Sequence, residues 1–464
     1  MYKTGYEIRN AKYQERTNIM ALTGLEIFKL LPKTNCKKCG MPTCLAFAMQ
    51  LAQKRAKLED CPDVSEEAKQ LLAAAAAPPI KLVELGRPDN QVQIGQETVM
   101  FRHEEKFYNP TLLAVTVSDK LTGQDLKDRI ESINSLQFDR VGMHISVNAI
   151  SVMNDSGSAD AFATAAAAVK DTSELAIILV SDSPDSIAAA VAKRGDSTPL
   201  IGRVTPDNTQ AMAKIAKENN CPLLAVAESV EALADLTEKI EAEGVEDIVL
   251  SLDGLNLRDQ LYNLSKIRAL ALKKTFRPLG YPTMSFVTDG DADQQAACAT
   301  SLICKHSSIV VVNTVEPYAF LPMLTARMNV YSDPQKPIQV EPKVYHIGEP
   351  DANSPLMFTT NFSLTYYTVE SDVEASRVPS YILVVDTEGT SVLTAYSGDK
   401  LNEKGVADAM AKNNVEDLVK HRKLIIPGYV AVMSGKLEEA TGWEVMVGPR
   451  ECSMLPKYLH EVWK

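Results

Sequence analysis

Four of the chain's eight cysteines, Cys36, Cys39, Cys44 and Cys61, fall in one short segment, with two, four and sixteen residues between them. Thiolates repel one another, so four of them meet at one point only where a metal neutralises their charge. Structural zinc usually takes two knuckles of paired ligands. Here the second pair is replaced by a lone Cys44 and a distant Cys61, with no histidine nearby. Three close thiols can cup one corner of a compact cluster while Cys61 closes it from the far end of a helix. Pro62 follows the last thiol, as proline follows a cysteine in ferredoxin-type sites. The spacing therefore assigns a 4Fe–4S cluster, with zinc and unligated buried thiols as alternatives. Cys221, Cys298, Cys304 and Cys452 do not extend the pattern and read as small core or lining residues.

The elements that must position these thiols are helical. Leu25, Phe28 and Leu31 share a face in a helix over Leu22–Pro32, and Thr43 caps a second helix expected over Thr43–Asp60. The stretch from Leu71 to Lys81 ends in two prolines and marks a boundary. Residues 1–60 carry a net charge of +6, whereas the whole chain of 464 residues carries −12, so the remainder carries −18. The basic end is either a solvated face or a surface that offsets an anionic centre or docks an acidic partner. Lys37 and Lys38, between the first two thiols, are expected to raise the potential of a cluster there.

The acidic total argues against general nucleic-acid binding. No apolar run reaches the roughly 20 residues that span a bilayer, and the charged N-terminus lacks the apolar segment of a secretory signal. Eight cysteines in so long a chain do not suggest a disulfide scaffold, and a cytoplasmic protein is expected.

From residue 110 onward, apolar runs alternate with helical segments. The strands expected are Leu112–Ser118, Ile145–Val152, Leu175–Val180, Leu200–Val204, Leu223–Ala227, Ile248–Leu252, Thr283–Val287 and Ile309–Asn313. Such runs indicate a parallel sheet covered on both faces. Eight of them fit a closed (β/α)8 barrel, with an open doubly wound sheet as the alternative. The pattern stops in a Pro-rich, irregular stretch from Tyr331 to Pro355. A smaller α/β unit follows, with strands expected at Ser380–Asp386, Ser391–Ser397, Arg422–Gly428 and Trp443–Gly448. The chain is thus α/β in three parts: 1–78, an extension and small helical cluster domain; 79–335, a TIM-like barrel; and 336–464, a C-terminal α/β domain.

The stretch "LTGLEIFKLLPKTNCKKCGMPTCLAFAMQLA" together with Cys61-Pro62 resembles the N-terminal domain of the large (gamma) subunit of the corrinoid iron–sulfur protein family. "MFTTNFSLTYYTVES", "PSYILVVDTEGTSVLTAYSGDK" and "IIPGYVAVMSGKLEEATGWEVMVGPRE" resemble the corrinoid-binding domain of the same family. The resemblance covers residues 20–464. Family members usually begin near Met20, so residues 1–19 depart from the pattern, as a real extension or a misplaced start. The resemblance implies that the C-terminal unit is a Rossmann-like corrinoid domain. It also implies that Thr359, Thr365, Gly389, Thr390, Ser391, Val392, Leu393, Thr394 and Cys452 surround the corrinoid, with Thr394 or a neighbour near the cobalt face.

By the same resemblance the chain is a methyl carrier in the reductive acetyl-CoA pathway. A methyltetrahydrofolate methyltransferase supplies the methyl group to cob(I)amide, and the nickel site of acetyl-CoA synthase/CO dehydrogenase receives it. The small subunit of the corrinoid protein completes a heterodimer. The 4Fe–4S cluster, served by a ferredoxin or reductive activator, returns an electron to cobalt when it falls to cobalt(II). An Asp-x-His-x-x-Gly motif is absent, and His103, His144, His306, His346, His421 and His460 all stand in other contexts, so a base-off corrinoid without a protein nitrogen on cobalt is expected. Two other functions compete. The barrel itself could be a pterin-dependent methyltransferase, although its strand-end aspartates are commonly helix N-caps. The chain could instead be a ferredoxin-like activator that binds no corrinoid, which the distinct C-terminal unit disfavours.

Overall fold

The structure is a computed structural model that describes residues 24–52, 56, 58–65, 68 and 78–463. Residues 1–19, most of the boundary from Leu71 to Lys81 and several residues of the second expected helix lie outside the described residues. The chain divides into two compact units, one of residues 1–137 and 146–331, the other of residues 138–145 and 332–464.

In the cysteine segment the helix Gly24–Leu30 stops just before Pro32, which has no N–H to donate. Its buried stripe is Ile27 and Leu31, with Phe28 half-buried; Leu25, expected on that face, is 59% exposed. The second helix runs over Cys44–Ala52 and is capped as expected, Thr43 Oγ1 accepting from Ala46 N at 3.1 Å. A separate short turn, Leu58–Asp60, then leads into Cys61. A Cβ on Gly24 would lie 2.5 Å from the Met49 sulfur, so glycine lets the two helices meet.

The strands of the first unit and its insertion are β1 (Leu82–Arg87), β2 (Asn90–Gly95), β3 (Leu112–Ser118), β4 (Gln137–Arg140), β5 (Met143–Ser146), β6 (Ala149–Met153), β7 (Ala176–Val180), β8 (Leu200–Val204), β9 (Leu223–Ala227), β10 (Ile248–Leu252), β11 (Thr283–Val287) and β12 (Ile309–Val312). β3 and β6 to β12 form a closed eight-stranded parallel barrel in sequence order. The expected strand Ile145–Val152 is two pieces. Only β6 enters the barrel, while β5 pairs with β4 in a two-stranded sheet. The break falls beside Asn148, whose Oδ1 is taken by Arg327 Nη1. The hairpin β1–β2 had no counterpart in the expected strands. Its Val83, Leu85 and Ile94 pack with Leu112, Ala149, Ala176 and Leu200 at the starts of the barrel strands, so the hairpin plugs that end.

At the other end the strand-terminal aspartates do not cap helices. Caps come from Ser183, Asn256 and Asp291. Asp119 instead accepts from Ser156 N and Oγ, and Arg203 joins Asp182 Oδ1 at 3.0 Å to Asp253 Oδ2. Arg203 reaches both because β8 is irregular against β9 between Ile201 and Val204, at Gly202 with φ +94°.

Near the plugged end, a buried Glu97–Arg268 pair (2.7 Å) lies beside Phe107, whose ring meets Arg268 at 4.7 Å and the His306 imidazole edge-on at 6.1 Å. Burial, with the nearby Arg268 and Lys305 cations, lowers His306 to a pKa of about 3. Unfolded His306 takes up its proton near pH 6.5, while the folded protein resists it down to about 3. Stability is therefore lost as the pH drops through that window, by up to about 1.4 kcal/mol per pH unit from this group. Replacing His306 with Asn removes the titration and suits the positive φ of 77°. Urea denaturation of His306→Asn between pH 7 and 4 is expected to show a shallower loss of stability than the wild type; equal slopes would contradict this account.

The second unit holds β13 (Val344–Ile347), β14 (Leu356–Thr360), β15 (Ser380–Val385), β16 (Lys423–Ile426) and β17 (Glu444–Val447). Their order is β13-β15-β14-β16-β17, all parallel except the edge strand β13. Three expectations change here, the first being that β14 was not among the expected strands. Residues 391–397 form a helix, Val392–Ser397, not a strand, and β13 lies inside the stretch read as irregular. Helices Ser363–Ser376 and Leu455–Val462 cover one face of the sheet through Tyr366, Val369, Val373 and Leu459. Those following β15 and β16 cover the other through Val392, Val406, Met410 and Leu437.

Candidate functional sites

The first site is the loop between the two N-terminal helices. Lys33, Asn35 and Lys37 have left-handed φ angles of 58°, 48° and 61°, and Gly40 has 78°. These repeated reversals wrap a short chain tightly. Asn35 locks the wrap: its Oδ1 accepts from Cys44 N at 2.8 Å, and its own N–H donates to Cys44 Sγ at 3.4 Å. Lys38 Nζ meets Asp63 at 2.9 Å, tying the Cys36–Cys39 loop to the residues after Cys61. As an exposed pair screened by solvent it adds little stability, but it fixes which segments are neighbours.

Cys44 and Cys61 are buried in the small core with Ile27, Leu31 and Phe47; Cys39 is half-buried and Cys36 exposed. Burial, followed by the negative charge of Cys39, Cys36 and Cys44, pushes the Cys61 thiol up. The four sulfurs are thus close enough to act on one another's charge. Among the described residues no three His, Cys, Asp or Glu side chains have metal-holding geometry. The donor chemistry nonetheless fits an iron–sulfur cluster: three thiols near enough to act on the Cys61 thiol, an N–H donor to Cys44 Sγ and no imidazole, although the Asp63 carboxylate stands against Cys36. Of the two lysines expected to raise the cluster potential, Lys38 is paired with Asp63 and Lys37 is exposed.

The second site lies wholly in the C-terminal unit. A cavity of about 490 Å3 opens at the carboxyl ends of its parallel strands, within the usual range of about 300–1,000 Å3 for cofactor sites. Its walls come from Thr359 at the end of β14, the Thr365 to Asp372 face of the following helix, Ser391 to Leu393 after β15, Pro427 and Tyr429 after β16, and Gly448 to Ser453 after β17. The chain leaves β14 toward one sheet face and β16 toward the other, and such a divergence between adjacent parallel strands opens a ligand crevice. Asp372, Arg450 and Glu451 are the charged lining groups, and no histidine lines it. Tyr429 donates to Glu451 Oε1 at 2.8 Å. Burial, then the charges of Asp372 and Glu451, pushes the Cys452 thiol up.

Residues 82–459 match the family described as CO dehydrogenase/acetyl-CoA synthase delta subunit, and residues 31–62 match a family for an Fe-S cluster. The chain is 46% identical to the corrinoid/iron-sulfur protein large subunit of Moorella thermoacetica over 94% of this chain and 97% of that one. The chain belongs to the corrinoid/iron-sulfur protein large-subunit family. It is also 37% identical to the acetyl-CoA decarbonylase/synthase complex subunit gamma of Methanothermobacter thermautotrophicus, over 96% of this chain and 99% of that one. Among solved structures, dihydropteroate synthase from Vibrio fischeri matches with a TM-score of 0.39 and 13% identity, over 54% of this chain and all of that one.

Of the residues the family resemblance implied, Thr359, Thr365, Ser391, Val392, Leu393 and Cys452 line the cavity of this large subunit; Gly389, Thr390 and Thr394 do not. The hydroxyl of Thr390 donates to Thr387 O, and Ser391 Oγ donates to Thr394 Oγ1 on the exposed side of a short helix. Gly389 serves the turn, with φ +72° and a Cβ direction blocked by Gln339. The positioning residue that the sequence reading missed is Asn361, fully buried at the end of β14. Its Oδ1 accepts from Thr387 N, Thr387 Oγ1 and Gly389 N at 2.9–3.0 Å, and its Nδ2 donates to Asp386 Oδ1. The quoted "TTNFSLT" contained it, but an asparagine in a loop carries no signal of how many bonds it makes.

Gly428 sets the spacing of two cavity loops. A Cβ there would stand 2.5 Å from Gly448 O and 2.7–2.8 Å from Pro449 C and Arg450 N, all backbone atoms that cannot swing aside. Gly428→Ala should destabilise the protein by about 1–3 kcal/mol. Gly435→Ala, with open space around it, should be neutral or stabilising by up to about 1 kcal/mol. Denaturation curves of the two variants decide; equal stability would show that the loops are not in contact as described.

Proposed function

We propose that this large subunit is a corrinoid-dependent methyl carrier, with a base-off corrinoid in the C-terminal cavity and a 4Fe–4S cluster on Cys36, Cys39, Cys44 and Cys61. The observation that carries the reading is the cavity at the strand divergence, built from the loops that the family resemblance had singled out. In this reading the C-terminal unit is a Rossmann-like corrinoid domain, within the division 1–78, 79–335 and 336–464. When bound, the corrinoid supplies a cobalt that accepts and gives up a methyl group. Thr359, Thr365 and the Ser391–Leu393 loop receive the ring, while Asn361 holds that loop in place. Gly389 and Thr390 belong to the site as its supporting turn, and Thr394 to the short helix that follows.

The cluster thiols act in reactivation. They hold an electron source that returns cobalt(II) to the reactive state without taking part in each turnover. The donor upstream is a methyltetrahydrofolate methyltransferase, and the acceptor downstream is the nickel site of acetyl-CoA synthase/CO dehydrogenase. The small subunit of the corrinoid protein pairs with this chain as a heterodimer, and a ferredoxin or reductive activator feeds the cluster. Among the described residues no helix is long and apolar enough to cross a membrane, which suits a cytoplasmic carrier.

Support for the base-off state comes from where the histidines lie in the C-terminal unit. His421 Nε2 is engaged with Ser354 O at 2.8 Å and its ring with Trp463, His346 packs edge-on against Tyr381, and His460 Nε2 is held by Ser376 O at 2.9 Å. None of the three lines the cavity.

An anaerobic absorption spectrum of the reduced protein is expected to show the sharp near-ultraviolet band of cobalt(I) corrinoid above a broad iron–sulfur background. A background without the band would leave only the ferredoxin-like alternative. Cys61→Ala is expected to lose or convert its cluster by iron analysis while keeping the corrinoid spectrum; a full, normal cluster would remove Cys61 from the ligand set. Paramagnetic resonance of the cobalt(II) state should lack nitrogen superhyperfine splitting, and a coordinated imidazole signal would overturn the base-off assignment.

A further inference from the structure

The helix Ser363–Ser376 presents Thr365, Thr368, Val369 and Asp372 to the cavity, at the spacing that puts them on one helical face. Three of the four suit an uncharged ligand; Asp372 does not follow from such a ligand alone. The other lining carboxylate, Glu451, is engaged by the Tyr429 hydroxyl. Asp372 accepts no hydrogen bond from the described residues and has no ion-pair partner among them. It stands close enough to Cys452 for its charge to bear on that thiol. A carboxylate that faces a cofactor cavity without a partner in its own chain is an acceptor aimed at the ligand, and a repeller of anions.

We propose that Asp372 is a specificity-determining residue that selects a fully amidated corrin ring over one carrying a free carboxylic acid. This rests on the corrinoid reading of the cavity. The edge of a corrin carries carboxamide arms, and an amide NH2 on such an arm supplies the donor that Asp372 lacks. An arm left as a carboxylate supplies no donor and places a second negative charge against the first. The discrimination therefore combines an attractive contact with one ligand and a built-in repulsion of the other. Glu451 contributes less, because Tyr429 already takes one of its oxygens. Arg450, the lining cation, directly precedes Glu451 and forms no ion pair with Asp372 among the described residues.

The test uses the full chain with its small subunit, freed of corrinoid and titrated with cobinamide. Each monocarboxylic acid obtained by mild hydrolysis of the propionamide arms of cobinamide is then titrated separately. Binding is read from the absorption change of the corrinoid and needs no turnover. In the wild type at least one acid is expected to bind about tenfold more weakly than cobinamide, one charge contact at a partly screened distance being worth about that factor. In Asp372→Asn, which keeps shape and removes charge, that gap should close to within about twofold while cobinamide still binds. If all the acids bind the wild type as well as cobinamide does, or if the gap survives in Asp372→Asn, the assignment of Asp372 is overturned although the cavity is a corrinoid site. If the wild type binds no corrinoid at all, the reading of the cavity falls and this inference with it.

Discussion

The chain leaves β14 and β16, hydrogen-bonded neighbours in one sheet, toward opposite faces of that sheet. Two segments that must diverge cannot close over the strand ends between them, so backbone direction alone opens the crevice. The second unit is arranged around that consequence. The loop after β15 reaches back to the crevice through Ser391, Val392 and Leu393, and the loops after β16 and β17 meet over Gly428 with no room for a Cβ. Asn361 sits at the end of β14 and holds the loop after β15 by three bonds to one carbonyl oxygen. Buried with all of these bonds made, it works as a rigid bracket, and removing it would strand several polar groups at once.

The two cofactor regions answer charge in opposite ways. At the N-terminus sulfurs gather that would repel one another as thiolates, in the part of the chain with a surplus of positive charge. The cavity is lined by apolar and hydroxyl side chains, with a small acidic excess from Asp372 and Glu451 against Arg450. An anionic iron–sulfur centre suits the first setting and an amide-edged ring the second. Exchanging the two would set an anionic centre against the acidic excess of the cavity.

The barrel was legible because its strands are buried on both sides and therefore read as nearly continuous apolar runs; β3 and β7 are apolar along most or all of their length. The C-terminal sheet was read less well. Its central strand β14 ends in Thr359 and Thr360 and runs straight into Asn361, so a polar terminus made a buried strand look like a loop. Residues 391–397 erred the other way: β-branched and aromatic residues suggested a strand, yet Val392 and Ala395 lie on one face of a short helix against the core. Both errors fall where the chain turns to build the cavity. There tertiary contacts outweigh local propensity, and the residues chosen for the ligand are not those a regular element would choose. The thiols had the clearest signal, since spacing alone carries it. The bracket role of Asn361 had none, because it exists only once β14 and β15 are side by side.

The barrel itself offers the rival location for chemistry, since ligands and catalysis in this architecture gather at the carboxyl ends of the strands. Here three of the charged groups at those ends, Asp119, Arg203 and Asp253, are held by structural contacts. Arg203 is divided between Asp182 and Asp253, and Asp119 is held by Ser156 through both the backbone and the hydroxyl. The irregularity at Gly202 directs Arg203 into this network, so the local backbone is shaped for internal pairing. Among the described residues the buried polar atoms left without partners at that end, Asn154 Oδ1 and Ser251 Oγ, are uncharged. A general acid or base needs a titratable group held free to face substrate. Asp119 and the aspartates around Arg203 serve structure, whereas Asp372, on the wall of the C-terminal cavity, has no partner among the described residues.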